Sequence, residues 1–420
     1  MDKMLITGGT PLYGEIVASG SKNASLPMMA ASLLTSEPVM LHRVPKLQDV
    51  NTMCDLLKHL GVTVSDLKSG NLQFQASSLK TDTAPYDLVR KMRASFLVLG
   101  PLVTRFGHAK VSLPGGCAIG TRPVDQHLKA LSQLGAEITV DEGYVVATAS
   151  NGLTGSNICM DVVTVTGTQN TLLAAVLARG STRIENAACE PEVVSLATML
   201  NDMGARIRGA GTRTIEIEGV DKLGGISTQV PTDRIEVGTY LVAAFATQGK
   251  IVIKDAPSGE LQTVIEKLEE AGASIDVSGD AIQIDGTKRR PQSINVETEV
   301  YPGVPTDLQA QFMVLNTISA GESRITENIF ENRFMHVQEL VRLGAKVRLN
   351  GPSEAIIEGV DKLRSAPVMA TDLRASSSLV IAGLIAEGQT TINRIYHLDR
   401  GYEDLDQKLT SLGATLSRVS

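Results

Sequence analysis

Apolar positions along the chain fall into short runs of alternating helical and extended periodicity, and the alternation itself repeats. A helix-like run ending in Leu-Gly, Met-Gly or Ala-Gly, followed at once by a β-like stretch, occurs six times. The copies read LGVTVS at Gly61, LGAEITV at Gly135, MGARIRG at Gly204, AGASIDV at Gly272, LGAKVRL at Gly344 and LGATLSRV at Gly413. Successive glycines lie 74, 69, 68, 72 and 69 residues apart, so six units fill the 420-residue chain. Each glycine stands where a helix C-cap needs the left-handed conformation, which glycine adopts without strain.

A second column runs parallel to the first. Helical runs end at VTRFG (Gly107), VLARG (Gly180), FATQG (Gly249), TISAG (Gly321) and LIAEG (Gly388), with LLTSEP in the first copy. A β-like segment follows each of the five, as AKVSL, STRIEN, KIVIKD, SRITEN and TTINRI. Every unit therefore predicts helix, strand, loop, helix, glycine cap, strand, strand. The period is longer than a typical solenoid repeat and suits a βαβ-rich unit of an α/β protein. A candidate break near Gly224–Pro231 leaves three units on each side. Gly209-Ala-Gly-Thr-Arg-Thr lies between two β-like stretches and lacks the third glycine of a dinucleotide fingerprint, so it predicts a turn.

Composition narrows the function. Apolar residues are 43%, charged residues 20% and aromatics only 3%, with no Trp, so the cores must be aliphatic and stacking platforms are scarce. The net charge of −7 argues against a general affinity for nucleic acid, although cations focused in a cleft can still bind an anion. Four cysteines, at 54, 117, 159 and 189, form no CxxC pair and fit a reducing cytoplasm; Cys54 and Cys159 are expected as small buried hydrophobes. Six histidines show no metal-ligand spacing, and there is no P-loop or GxSxG elbow, so no metal and no cofactor are expected. The opening MDKMLITGGTPLYG carries no secretory signal pattern, and the most apolar stretch, Ser378 to Ala386, is too short to span a membrane.

Candidate chemistry gathers at the unit junctions. Before the first helix of each unit stand Ser21-Lys22-Asn23, Met92-Arg93-Ala94-Ser95, Thr164-Val165-Thr166-Gly167, Thr232-Asp233-Arg234, Pro305-Thr306-Asp307 and Thr371-Asp372-Leu373-Arg374. Plain N-capping explains Asp233 or Asp372 taken singly. A cation at a helix start, as at Lys22 and Arg93, is unfavourable unless something anionic offsets it, which favours a bound anion. The second unit also carries Leu113-Pro-Gly-Gly-Cys-Ala-Ile-Gly-Thr-Arg-Pro123, a glycine-rich loop in which Arg122 favours thiolate at Cys117; this predicts a lid bearing a reactive thiol. Glu327 to Arg333 and Arg394 to Tyr402 concentrate charge where a plain loop would need none.

Carried by GSKNASLP, YDLVRKMRAS, SLPGGCAIGTRPVDQH, VPTDLQAQF, ITENIFENRFMH, MATDLRAS and RIYHLDRGYE, the whole chain resembles the enolpyruvyl transferases, in particular the branch that uses UDP-N-acetylglucosamine. The resemblance implies an inside-out α/β barrel fold of six βαβαββ units in two three-unit domains. These would be residues 21–230, carrying the Cys117 loop, and residues 1–20 plus 231–420, with the active site in the interdomain cleft closed by substrate. It implies transfer of enolpyruvyl from phosphoenolpyruvate to the 3′-hydroxyl of UDP-N-acetylglucosamine with release of phosphate, the first committed step of peptidoglycan synthesis in the cytoplasm. The implied catalytic residues are Cys117 as acid, Asp307 as base, Lys22 and Arg400. Phosphoenolpyruvate would meet Lys22, Asn23, Arg122 and Arg400. UDP-N-acetylglucosamine would meet Asn23, Arg93, Arg122, Pro123, Val124, Asp125, Gln126, Asp307 and Ile329. The epoxide fosfomycin would alkylate Cys117. The sequence departs from the pattern at Asp161-Val-Val-Thr-Val-Thr166, where Val162 and Thr166 replace a lysine and a glycine that some members use toward uridine and phosphates. Three rivals remain: a shikimate-pathway 3-phosphoshikimate enolpyruvyl transferase, a silent UDP-sugar-binding regulatory paralogue, and a six-fold structural ring of the sliding-clamp kind.

Overall fold

The structure, a computed structural model, describes residues 2–114 and 124–419. Among these, Gly20 to Pro231 forms one compact unit, and the residues up to Ser19 together with those from Thr232 form the other. Each has its own aliphatic core.

All six repeats build one pattern, a four-stranded sheet in which a central strand has a parallel neighbour on one side and an antiparallel one on the other. In the unit from Gly20, the central strand Val39–His42 lies between parallel Ile226–Gln229 and antiparallel Leu72–Gln75, with Thr63–Asp66 outermost. His108–Ser112 has Thr83–Ala84, Tyr144–Thr148 and Glu137–Asp141 in the same places, and Ser181–Glu185 has Asn157–Cys159, Thr214–Glu218 and Arg206–Arg208. In the other unit, Lys250–Lys254 pairs parallel with Tyr13–Val17, and Glu322–Thr326 pairs parallel with Val296–Glu297. The last sheet runs Pro367–Met369, Gln389–Asn393, Lys3–Thr7, Thr415–Val419. Its third strand thus comes from the start of the chain.

The first helix of each repeat is central and the sheets lie outside. Every residue of Arg234–Ala246 and of Gln309–Thr317 is buried, and Val165–Ala175 and Leu373–Ile385 are nearly so. Such helices must be apolar or small all round, hence the runs of Ala, Gly, Ser and Val. The second helices, such as Gln48–Leu60 and Gln262–Glu270, bury one face only.

Glycines enforce the repeat. Gly61, Gly135, Gly204, Gly272, Gly344 and Gly413 have φ between 89° and 110°. In every copy the residue that follows donates its N–H to a leucine carbonyl five residues back, from Val62 to Leu57 through Ala414 to Leu409. That bond closes a Schellman motif, which requires a left-handed residue at the glycine position. The second column shares another bond: Gly107, Gly180, Gly249, Gly321 and Gly388 accept from Ala149, Gly219, Gly286, Gly359 and Gly8.

Three details differ from the sequence reading. Before Gly249 it is Gln248 that takes the left-handed conformation (φ 53°), and Gly249 is needed because a Cβ there would lie 2.1 Å from the Leu12 carbonyl oxygen. The second repeat's first helix opens as a 3-10 stretch, Arg93–Val98, before becoming α-helical over Leu99–Phe106. Cys159 is exposed, not a buried hydrophobe, because it alternates outward from an edge strand beside buried Ile158. Cys54 is buried as expected, and burial pushes its thiol up to about 11. Among the described residues no helix is long and apolar enough to cross a membrane.

Candidate functional site

In the unit from Gly20, Ser21 caps helix Lys22–Ala31 by accepting from the Ala24 N–H. Lys22, at its first position, has its Nζ 3.4 Å from Asp49 Oδ2, with both side chains largely buried. The anion that offsets this cation is therefore in part the protein's own, so Lys22 alone is weaker testimony for a bound anion than its position suggested. Asn23 follows on the same turn.

Arg93 and Asp125 lie near enough to a buried histidine, His127, for their charges to act on it. Val124 precedes helix Asp125–Gln133, whose first turn carries Gln126 and His127, and His127 packs edge-on against Phe96 at 5.3 Å. Burial, reinforced by the Arg93 charge and opposed by Asp125, pushes His127 down to about 3. Gln126 grips Asp161 at two points: its Oε1 accepts from the Asp161 N–H at 2.9 Å and its Nε2 donates to Oδ2 at 3.0 Å. The hydrogen bond from Lys129, then that from Gln126, hold the Asp161 carboxyl below its usual range. The fold thus brings Gln126, and His127 beside it, to the Asp161–Thr166 segment. Cys117, Arg122 and Pro123 lie outside the described residues.

In the other unit Asp307 sits between two buried guanidiniums. Arg333 Nη2 is 2.8 Å from its Oδ1 and Arg374 Nη2 is 2.8 Å from its Oδ2. Burial, the largest single influence, opposes the Arg374 charge, but Asp307, Tyr402 and Asp233 together outweigh it and hold the guanidinium above its usual range. Arg374 also lies over the Tyr402 ring at 5.4 Å, and its Nη1 is buried with no hydrogen-bond partner among the described residues. Beneath Asp307, Gln311 Nε2 donates to its backbone oxygen and reaches the Thr239, Ser377 and Tyr402 hydroxyls, so the first helices of all three repeats meet there. Glu327 joins Ile329 to this point: its Oε1 accepts from the Ile329 and Phe330 N–H groups and both its oxygens from the Thr306 hydroxyl.

Arg400 ends the 3-10 segment Ile395–Arg400. Burial first, then the Arg400 charge, lower His397, while Asp372 opposes them. Asp233 and Asp372 are N-caps, each accepting two backbone N–H bonds, as the capping explanation expects.

Sequence reasoning did not name Asp49, Arg333 or Arg374 as partners of these residues, or His127 as their buried neighbour. Arg374 had a signal, since it stands in the sixth helix-start junction; Asp49 had none, because an acidic first-turn residue is ordinary at a helix start. Among the described residues no group of His, Cys, Asp or Glu is poised to hold a metal ion.

Each unit thus surrounds central helices with sheets, and the unit that includes residues 232–419 holds a carboxylate clamped by two guanidiniums near a helix start. Residues 6–409 match the EPSP synthase (3-phosphoshikimate 1-carboxyvinyltransferase) family. The enolpyruvyl transferase NikO from Streptomyces tendae has a TM-score of 0.90 at 25% identity, over 100% of this chain and 99% of that one. Two structures of EPSP synthase from Acinetobacter baumannii give TM-scores of 0.76 and 0.75 at 19% and 20% identity, over the full length of both chains, and bear on the fold alone. The chain belongs to the EPSP synthase family of enolpyruvyl transferases.

Proposed function

We propose that the acceptor is UDP-N-acetylglucosamine and that its 3′-hydroxyl receives the enolpyruvyl group of phosphoenolpyruvate, with release of phosphate. In this reading the reaction is addition then elimination. Protonation of the methylene carbon makes the adjoining carbon electrophilic, the sugar oxygen attacks it as its own proton is removed, and a tetrahedral ketal forms. Loss of a proton from the new methyl group and departure of phosphate restore the double bond.

The observation that carries the reading is the clamped carboxylate of Asp307, fixed by Arg333 and Arg374 at 2.8 Å each. A group that is to accept one hydroxyl proton must be fixed in orientation, and the two guanidiniums fix this carboxylate. Lys22, Asn23, Arg122 and Arg400 are assigned to the phosphate and carboxylate of phosphoenolpyruvate. Asn23, Arg93, Arg122, Pro123, Val124, Asp125, Gln126, Asp307 and Ile329 are assigned to the nucleotide sugar. Cys117 is assigned as proton donor and as the site of fosfomycin attack. The glycine-rich loop around Cys117 supports this acceptor over shikimate 3-phosphate.

The second reading, transfer to shikimate 3-phosphate, has its own support in the description of the matched family. Phosphate release by the purified protein with phosphoenolpyruvate and either acceptor separates the two. Release that requires UDP-N-acetylglucosamine is expected. Release with shikimate 3-phosphate alone overturns the assignment, and binding of the nucleotide sugar with no release identifies a silent paralogue.

A further inference from the structure

Arg400 ends a segment whose backbone is held in sparsely populated conformations at both flanks. Arg394, before the 3-10 stretch Ile395–Arg400, has φ 60°, and Asp404, before helix Leu405–Ser411, has φ 50°. Neither is glycine, so each left-handed residue costs free energy that the surroundings must offset. Six residues of 3-10 helix, with their poorer hydrogen-bond geometry, do not hold such a segment alone. Its inner side is anchored on the core. Ile395 and Leu398 are fully buried, the Tyr402 hydroxyl is 2.9 Å from that of Thr239, and a Cβ on Gly401 would lie 2.6 Å from Leu373 Cδ2.

The outer side is held by Arg418, on strand Thr415–Val419. Its Nη1 is 2.8 Å from Asp399 Oδ1 and its Nε 3.1 Å from Asp406 Oδ2. One guanidinium thus ties the residue before Arg400 to the first turn of the helix that follows. Burial opposes the Arg418 charge, but Asp399 and Asp406 outweigh it and hold the guanidinium above its usual range. The planar fork of arginine fixes two acceptors at one spacing, which a lysine ammonium does not. The side chains of Arg418, Asp399 and Asp406 are 32%, 40% and 24% exposed, so water screens these pairs less than it does ordinary surface pairs. The bridge also engages the Asp399 carboxylate, adjacent in sequence to Arg400, with a different cation. An anion approaching Arg400 then meets less competing negative charge.

We propose that Arg418 is a positioning residue for phosphoenolpyruvate binding, holding Arg400 in place through its bridge to Asp399 and Asp406. This rests on the reading that Arg400 takes an anionic group of phosphoenolpyruvate. It does not depend on which acceptor is used, because both acceptor readings share this donor. Arg418 acts through Arg400 and is assigned no substrate contact of its own.

Phosphate-release kinetics with whichever acceptor supports turnover give KM for phosphoenolpyruvate and for that acceptor, and calorimetry gives phosphoenolpyruvate affinity where turnover is slow. Arg418→Gln should raise KM for phosphoenolpyruvate by about three- to tenfold, the size of a partly shielded ion-pair network. KM for the acceptor should be unchanged. Arg418→Lys, which reaches one carboxylate at a time, should recover part of the loss. Lys346→Gln breaks an exposed 2.5 Å pair with Glu358 in the same unit and should change neither value. In an Arg400→Gln background, Arg418→Gln should add nothing further, because the two residues act as one. An unchanged KM for phosphoenolpyruvate in Arg418→Gln overturns the proposal, as does a full additive loss on top of Arg400→Gln. If Arg400→Gln by itself leaves phosphoenolpyruvate affinity at the wild-type value, the assignment of Arg400 fails and the role of Arg418 falls with it.

Discussion

Replacing His127 by Gln should remove a defined part of the acid sensitivity of the unit from Gly20 to Pro231. The ring is fully buried and its pKa is pushed from the usual 6.5 to about 3. With the folded value depressed, the unfolded chain takes up a proton below 6.5 that the folded state refuses, so stability present above 6.5 is lost as pH falls towards 3. Between pH 7 and pH 5 the unfolded state gains about 1.5 units of protonation advantage, worth roughly 2 kcal/mol at 1.36 kcal/mol per unit. Glutamine does not titrate. Urea unfolding of both proteins at pH 7 and pH 5, followed by circular dichroism, measures the difference in their pH-dependent loss. The variant is less stable at pH 7 because packing and the bonds to Asn170 and Thr166 are disturbed, but its further loss on going to pH 5 should be smaller by about 2 kcal/mol. His336, in the other unit and lowered by burial to about 4, is untouched and serves as an internal reference. Identical losses in the two proteins would refute a buried neutral His127.

Asp307→Asn should cut phosphate release by about a hundredfold or more and destabilise its unit by about 3–5 kcal/mol, since two buried guanidiniums lose their partner; near-wild-type turnover would remove Asp307 as base. Fosfomycin should label Cys117 in preference to Cys54, Cys159 and Cys189, as read by mass spectrometry; Cys117→Ala should lose most activity, while Cys117→Asp should keep some and resist the epoxide. Full activity of the Ala variant would leave Cys117 structural. Gly219→Ala places a Cβ 1.6 Å from the Ala178 carbonyl oxygen and should cost about 2 kcal/mol or more in urea unfolding. Gly135→Ala, with open space around its Cβ, should cost only about 1 kcal/mol for its left-handed backbone; equal costs would refute the close-approach account.

The six-unit architecture was legible in the sequence because its determinants are local. A helix that must stop and turn needs a left-handed residue within a few positions, so glycine recurs at Gly61 through Gly413 and marks every repeat. Capping is local too, which is why Ser21, Thr164, Asp233 and Asp372 could be read as helix starts. Strand partnership is not local. Nothing in Lys3–Thr7 shows that it will lie between Gln389–Asn393 and Thr415–Val419, or in Ile226–Gln229 that it will pair with Val39–His42. Those pairings leave each sheet with its full set of four strands, a requirement felt only when the whole unit closes. The site divides in the same way. Lys22 and Asp307 declared themselves by residue type at helix starts, whereas the Asp49 partner, the Arg333–Arg374 clamp and the hydrogen bonds of His127 to Asn170 and Thr166 arise from residues far apart in the chain. Charge and hydrogen-bond polarity depend on which groups burial forces to face one another, and only the tertiary structure decides that.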